Sequence, residues 1–300
     1  MQLASLYIPF EGGVLHLKRM FENPDGPPAF LLHGSMENGK IFYSKNLKGY
    51  APFLARQGYD VFVLDMQGRG ESIPKMSKKS LYGQVDVIKT DIPLSLLKIK
   101  EIKGDVPVHA AAHSWGGVLL LAYMARFDHP FVNTVFFGVK RWISVRNWDY
   151  FKKLKLGWYF LGKILNPIFG YFPATKLGVG SDEEPINHYK QINKWIKVGS
   201  AWKDNKDGFD YGKVLKTKAL PPLLFVAGKN DTLLGHPRDI KNLMNEVKNA
   251  KKDYWYLAKE SGFLNDYGHI DMLSHKDAPK DHFPAIVGWM KENIDVPLLS

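Results

Sequence analysis

The chain has 300 residues, of which 45% are hydrophobic and 24% charged, enough for one large α/β domain or one domain with an insertion. It contains no cysteine, which excludes disulfides, thiolate catalysis and cysteine-ligated zinc. The formal net charge of +11 is compatible with a nucleic-acid partner, an anionic membrane or a merely basic surface. We see no signal peptide and no apolar run of about 20 residues, so we expect a cytoplasmic protein without a membrane span.

The first third of the chain predicts short strands separated by turns. The segments 3–8 and 14–19 predict two short strands, and residues alternate between two faces over 14–19, as in a half-exposed antiparallel hairpin. A buried strand at 29–33 then runs into the polar loop Gly34-Ser35-Met36. After a further helix at 50–57 and strand at 59–65, the loop around Arg69 is interpreted as loop-shaping, without a chemical role.

The segment 106–120 predicts a buried strand, a very tight turn at Ser114 and a helix that starts near Gly117. Small residues, Ala112 and Gly116, lie two positions before and after the serine. A serine on a sharp strand-to-helix turn lies close to neighbouring backbone, so only small residues fit at those two positions. The turn lifts the hydroxyl clear of the sheet and makes Ser114 a candidate nucleophile.

Two helices around this segment have distinct patterns. The helix predicted at 83–97 contains Pro93, which should kink it. The helix at 118–127 is so apolar that it should be the most buried of the chain.

The segment 141–204 is long, aromatic and basic, with eleven Lys or Arg against five Asp or Glu. Its stretch 151–168 predicts an amphipathic basic helix that is broken near Asn166-Pro167. The helix could simply pack on the core with solvated lysines. Alternatively, it could be a lid that lines an acyl pocket or contacts an anionic lipid surface. We expect Met36, Trp142 and Trp158 to contact substrate.

The last third returns to strands and helices. Strands at 222–228 and 254–257 are followed by loops that carry Asp231 and His269, and a closing helix covers 283–293. This alternation predicts a mainly parallel central sheet with helices on both faces. Because the carboxyl ends of parallel strands share one edge, Ser114, Asp231 and His269 should meet there.

These motifs resemble the α/β-hydrolase superfamily. The resemblance rests on the Ala-x-Ser-x-Gly turn, His-Gly after a strand and the chain order Ser, Asp, His. It implies that Ser114 is the nucleophile, His269 the base and Asp231 the acid that orients it. It also implies an oxyanion hole made by the backbone N–H groups of Ser35 and Trp115. Segments 228–234 and 268–271 are similar to the acid-lipase branch. Segment 141–204 instead resembles a group of bacterial hydrolases of unassigned substrate.

The resemblance also implies how the chain is divided. Residues 1–140 and 205–300 would form the α/β-hydrolase core, with 141–204 as an inserted helical cap.

Other histidines and acids are weaker candidates for the triad. Of the ten histidines, His275 and His282 lie near His269, but neither follows Tyr-Gly in the loop after the last strand. Asp271 is too close in sequence to His269 to be the usual orienting acid, and Asp266 is the other rival.

The expected activity is hydrolysis of carboxylic esters with an apolar acyl group, through an acyl-serine intermediate and without a metal or organic cofactor. The same residues would also serve amide, peptide or thioester hydrolysis, or acyl transfer to an alcohol. A non-catalytic binding module and a nucleic-acid binder are the alternatives from other classes, and the latter lacks a recognised motif. The oligomeric state is left open.

Overall fold

An eight-stranded sheet forms the centre of the computed structural model, which describes residues 1–294. Its order is β1-β2-β4-β3-β5-β6-β9-β10, and β2 runs antiparallel to β1 and β4 while the remaining pairs are parallel. The predicted mainly parallel sheet is therefore confirmed. The strands are β1 (Gln2–Phe10), β2 (Gly13–Phe21), β3 (Pro28–Leu32), β4 (Asp60–Asp65), β5 (Val108–His113), β6 (Phe131–Phe137), β9 (Leu223–Gly228) and β10 (Lys252–Leu257), with β7 (Tyr171–Phe172) and β8 (Glu184–Pro185) forming a separate pair.

Helices cover both faces of the sheet, as predicted. Strand β4 shows why: Phe62 and Leu64 point into one apolar cluster, and Val61 and Val63 into the other. A strand that is buried on both sides needs this continuous apolar run. The helices are α1 (Tyr50–Arg56), α2 (Gln84–Asp86), α3 (Ile92–Lys103), α4 (Trp115–Arg126), α5 (Gly162–Phe169), α6 (Ile186–Trp195), α7 (Tyr211–Val214), α8 (Pro237–Glu246), α9 (Asp271–Ser274) and α10 (His282–Glu292).

The helix that contains Pro93 is longer than predicted and irregular in a different place. Between α2 and α3, the residues Val87–Asp91 form π-helical turns just before the proline. A proline donates no N–H, and its ring collides with the carbonyl four residues earlier in a regular α-helix. The wider turns before Pro93 relieve that conflict.

The long helix of segment 141–204 differs from the prediction at its end. It runs as π-helical turns over Tyr150–Leu161 and continues as α5 through Pro167, so the predicted break near Asn166-Pro167 is wrong. Because Pro167 lies in the last turn, it removes only one helical hydrogen bond. The helix ends at Gly170, whose φ is +78° and whose N–H donates to the Asn166 carbonyl over 2.8 Å.

Within residues 1–294, no helix combines the length and the apolarity that crossing a bilayer requires.

Candidate active site

Ser114 lies in a strained turn between β5 and α4. Its φ of 51° and ψ of −128° place a non-glycine residue in an unfavourable region. Helix α4 begins at Trp115, directly after the serine and two residues earlier than the predicted start near Gly117. A Cβ on Gly116 would collide with backbone oxygens of Leu32 and His33, which explains the need for glycine there.

At the carboxyl edge of the sheet, His269 lies within hydrogen-bond distance of both Ser114 and Asp231. The Ser114 hydroxyl is 2.9 Å from Nε2 of His269, and Nδ1 of His269 is 2.5 Å from the Asp231 carboxylate. The three residues follow β5, β10 and β9. Burial raises the pKa of Asp231, but the neighbouring His269 lowers it by more. The pKa is therefore below its usual value, and the carboxylate stays ionised.

The rival residues lie elsewhere or have structural partners. His275 pairs with Asp277 over 3.6 Å, and His282 is buried with its Nε2 at 2.7 Å from the Met272 carbonyl. Asp271 accepts the Gly268 N–H at 2.5 Å, an arrangement that shapes the loop before His269.

The loop after β3 presents backbone N–H groups beside the serine. A Cβ on Gly34 would lie 2.9 Å from the Ser114 Cβ, so this loop runs directly against the turn. Among residues 1–294, the N–H of Ser35 has no protein acceptor. The N–H of Trp115, in the first turn of α4, has no acceptor within its helix. His33 organises the loop, since its Nδ1 lies 2.9 Å from the Gly34 carbonyl and its Nε2 accepts the Met66 N–H.

Glu184 fastens segment 141–204 to this loop. Its buried carboxylate accepts hydrogen bonds from the Ser35 hydroxyl at 2.6 Å and the Met36 N–H at 2.7 Å, and it pairs with Arg69 at 2.6 Å. Burial raises the pKa of Glu184, but Arg69 and His188 outweigh burial and lower it to about 2. Within its own loop, the Arg69 backbone bonds to Met66 and Ser72. Its ion pair with Glu184 also joins the core to segment 141–204, a contact that the sequence did not predict.

A second buried ion pair joins the loop after β3 to the histidine loop. Nδ1 of His113 lies 2.8 Å from the Glu37 carboxylate, and its Nε2 lies 2.9 Å from the His269 carbonyl. Both ring nitrogens face acceptors, which favours the doubly protonated form of His113. Its pKa is raised accordingly, since Glu37 outweighs the effect of burial. Sequence reasoning missed this pair because the two residues are 76 positions apart.

A cavity of about 790 Å³ opens beside the serine. The expected substrate contacts Met36 and Trp158 line it, together with Leu154, whereas Trp142 is absent from its walls. Trp142 instead stacks against the Arg141 guanidinium, 4.7 Å from the ring centre. The cavity thus lies between the core and segment 141–204. Among residues 1–294, no group of three or more His, Asp or Glu side chains is arranged to hold a metal ion.

The comparisons with known proteins agree with this architecture. Residues 27–167 match the family model described as the alpha/beta hydrolase fold. No curated protein matches the sequence of this chain.

Several solved structures share the fold at low identity. DcsB, solved with a substrate analogue, has a TM-score of 0.66 at 13% identity over 98% of this chain and 99% of its own. The carboxylesterase CesB from Bacillus subtilis has a TM-score of 0.58 at 15% identity over 98% and 92%. The esterase RhEst1 from Rhodococcus sp. ECU1013 has a TM-score of 0.56 at 13% identity over 98% and 100%. At these identities the likeness shows the fold alone.

Proposed function

We propose that this chain, which has the α/β-hydrolase fold and matches that family model over residues 27–167, is a serine hydrolase that cleaves carboxylic esters of an apolar acyl group. The observation that carries the proposal is the chain of contacts from Ser114 through His269 to the ionised, buried Asp231. An apolar cavity beside the serine hydroxyl supports an apolar acyl substrate. The cavity is lined both by the core and by residues of segment 141–204, which supports the proposal that this segment is a cap over the core.

In the proposed reaction, Ser114 Oγ attacks the ester carbonyl while Nε2 of His269 accepts the hydroxyl proton. Asp231 accepts a hydrogen bond from Nδ1, which fixes the tautomer and stabilises the imidazolium. The N–H groups of Ser35 and Trp115 stabilise the oxyanion, an interaction that contributes about 3–4 kcal/mol per donor in other enzymes. His269 then gives its proton to the leaving alcohol as the C–O bond breaks. Water, deprotonated by His269, releases the acid and restores Ser114.

Labelling with a fluorophosphonate probe tests the nucleophile. The wild type should be labelled, Ser114→Ala should not, and His269→Ala should lower kcat by roughly a thousandfold or more. His275→Ala is the matched control, since this histidine lies outside the contact chain, and it should keep near-normal activity. Near-normal turnover of Ser114→Ala, or a dead His275→Ala beside an active His269→Ala, would refute the assignment.

A thioester is the alternative substrate class, and a thioesterase domain from the curacin biosynthetic pathway shares the fold at 14% identity. The proposed triad serves both reactions, so matched p-nitrophenyl esters and thioesters of the same acyl chains separate them. We expect higher kcat/KM for the esters, and activity that rises with acyl length until the chain fills the cavity.

We also propose that the outer side of the long helix in segment 141–204 contacts an anionic membrane surface. The proposed location of the protein is the cytoplasm. The helix carries exposed apolar residues spaced four or five positions apart, which places them along one side. They are Phe151, Leu156, Phe160, Ile164 and Ile168, with Trp148 just before the helix. Exposed lysines accompany them: Lys152, Lys153, Lys155 and Lys163. Apolar groups beside lysines fit the interface of an anionic bilayer.

The sequence left two interpretations of this helix open, packing on the core with solvated lysines or a lid that contacts lipid. The exposed apolar residues favour the second, and Ile168, in the last turn of α5, is 55% exposed.

Sedimentation with vesicles tests the membrane contact. The wild type should bind vesicles containing phosphatidylserine more tightly than neutral vesicles, and the double variant Phe160→Ser, Ile164→Ser should lose at least about fivefold in affinity. Leu97→Ser is the control because Leu97 is 61% exposed on α3, away from this helix. Equal sedimentation of the wild type and the double variant would refute the contact.

A further inference from the structure

Lys140 is a buried cation that lines the cavity beside the proposed triad. It lies three residues after β6, and only 4% of its surface is exposed. Ser114, Trp115 and His269 line the same cavity. Among residues 1–294, its Nζ makes no hydrogen bond, and it is not one of the polar atoms that are sealed from solvent without a partner, so it stays accessible from the cavity.

The nearest carboxylates to Lys140 are engaged by other donors. Asp231 accepts from His269, and Asp239 accepts the Ser144 N–H at 3.0 Å. The Trp115 ring centre lies 5.6 Å from the ammonium, close enough for a cation–π interaction, but the ring offers no hydrogen-bond acceptor. A buried ammonium without a hydrogen-bonded partner is unfavourable. The fold therefore retains a cation whose partner the protein does not supply.

The other lysines of the cavity add to this positive charge. Lys40, Lys152 and Lys153 also line it, while its single acid, Glu37, is already paired with His113. The remaining walls are mostly apolar. This combination fits a ligand with an apolar chain that carries an anionic group.

The protonation state of Lys140 supports such a ligand near neutral pH. Burial lowers the pKa of Lys140 to about 8, and the nearby Asp231 and Asp239 act against this effect. Most molecules therefore hold the charged ammonium at pH 7.

We propose that Lys140 is a specificity residue that binds a carboxylate on the acyl chain, so that the preferred substrates are half-esters of medium-chain dicarboxylic acids. This inference rests on the proposed function, which assigns the acyl chain to this cavity. An ammonium–carboxylate contact in an apolar wall favours the acidic substrate over its neutral counterpart by roughly ten- to a hundredfold.

Kinetics with paired substrates test the proposal. The p-nitrophenyl half-esters of six- to ten-carbon dicarboxylic acids are compared with the same compounds whose free acid is capped as a methyl ester. Wild type should prefer the acidic member at least about tenfold in kcat/KM at pH 7, and Lys140→Met should reduce this preference to near unity. The readout is the ratio of the acidic to the neutral substrate within each protein, because removing Lys140 also removes a positive charge near Asp231. Lys291→Met, which removes an exposed lysine of α10 far from the cavity walls, should retain the full preference. An unchanged preference in Lys140→Met would overturn the proposal.

A binding measurement separates this proposal from the proposed function. Calorimetry in the Ser114→Ala background compares monomethyl octanedioate with dimethyl octanedioate, neither of which needs to be turned over. The half-ester should bind at least about tenfold more tightly, and the added Lys140→Met substitution should abolish the difference. Equal affinities in Ser114→Ala would overturn the role of Lys140. Absence of fluorophosphonate labelling in the wild type would refute the hydrolase function alone.

Discussion

Replacing Lys140 by methionine should stabilise the protein at neutral pH. Methionine keeps the length of the side chain and removes the charge, so the substitution leaves the apolar part of the wall in place. In the unfolded chain the lysine is hydrated, whereas in the fold it is 4% exposed and has no hydrogen-bond acceptor among residues 1–294. The ammonium therefore opposes folding.

The pKa of Lys140 sets the magnitude of the expected effect. Burial lowers this pKa from 10.5 to about 8. Each unit of pKa corresponds to about 1.4 kcal/mol, so the charged form is disfavoured in the fold by about 3 kcal/mol. Because the folded-state pKa is the lower one, the unfolded chain binds more protons between pH 8 and 10.5, and wild-type stability rises with pH there relative to the variant. The advantage of Lys140→Met should thus shrink by roughly 2–3 kcal/mol between pH 7 and pH 10.

Urea unfolding of both proteins at pH 7 and pH 10 measures this change, since titrations common to both proteins cancel in the difference. Lys163→Met, at an exposed position, is the control and should follow the wild type at both values. A stability difference between the wild type and Lys140→Met that does not depend on pH would refute the reasoning.

Three further predictions concern the architecture around the serine. Gly116→Ala should lower the melting temperature markedly, because the added Cβ collides with backbone oxygens. Gly288→Ala is the control, since a Cβ there meets no atom within 4 Å, and equal melting temperatures of the two variants would contradict the packing argument. Glu184→Gln should reduce the free energy of unfolding by about 3–5 kcal/mol, measured in urea, because Arg69 stays buried without its counter-charge. Glu37→Gln should slow fluorophosphonate labelling at least about tenfold while the circular dichroism spectrum stays native, since the ion pair that holds the loop after β3 is lost; unchanged labelling would show that this loop needs no such support.

The sequence by itself determined the sheet and the turn at Ser114. A strand that is buried on both faces requires a continuous apolar run, and a tight turn requires small residues at fixed spacing. Both features can therefore be recognised from neighbouring residues in the sequence. The positions of Ser114, Asp231 and His269, each after a strand of the parallel part of the sheet, were predictable from the sequence because the carboxyl ends of such strands share one edge.

Backbone irregularities were less predictable than the elements themselves. The sequence placed a kink at Pro93 and a break at Pro167, but the structure has π-helical turns before the first and an unbroken helix through the second. A proline restricts its own turn strongly, yet its effect on the helix depends on how neighbouring turns adjust and how near the end lies.

Only the tertiary structure decided which side chains surround the serine. Trp142 and Trp158 look alike in the sequence, but only Trp158 lines the cavity. Glu184 accepts a hydrogen bond from Ser35, which lies 149 positions away in the chain. Lys140 cannot be distinguished from the other lysines in the sequence, and only the structure shows that it is buried. Helical period and turn chemistry arise from neighbours along the chain, whereas burial, charge pairing and cavity walls arise from segments that meet only after folding.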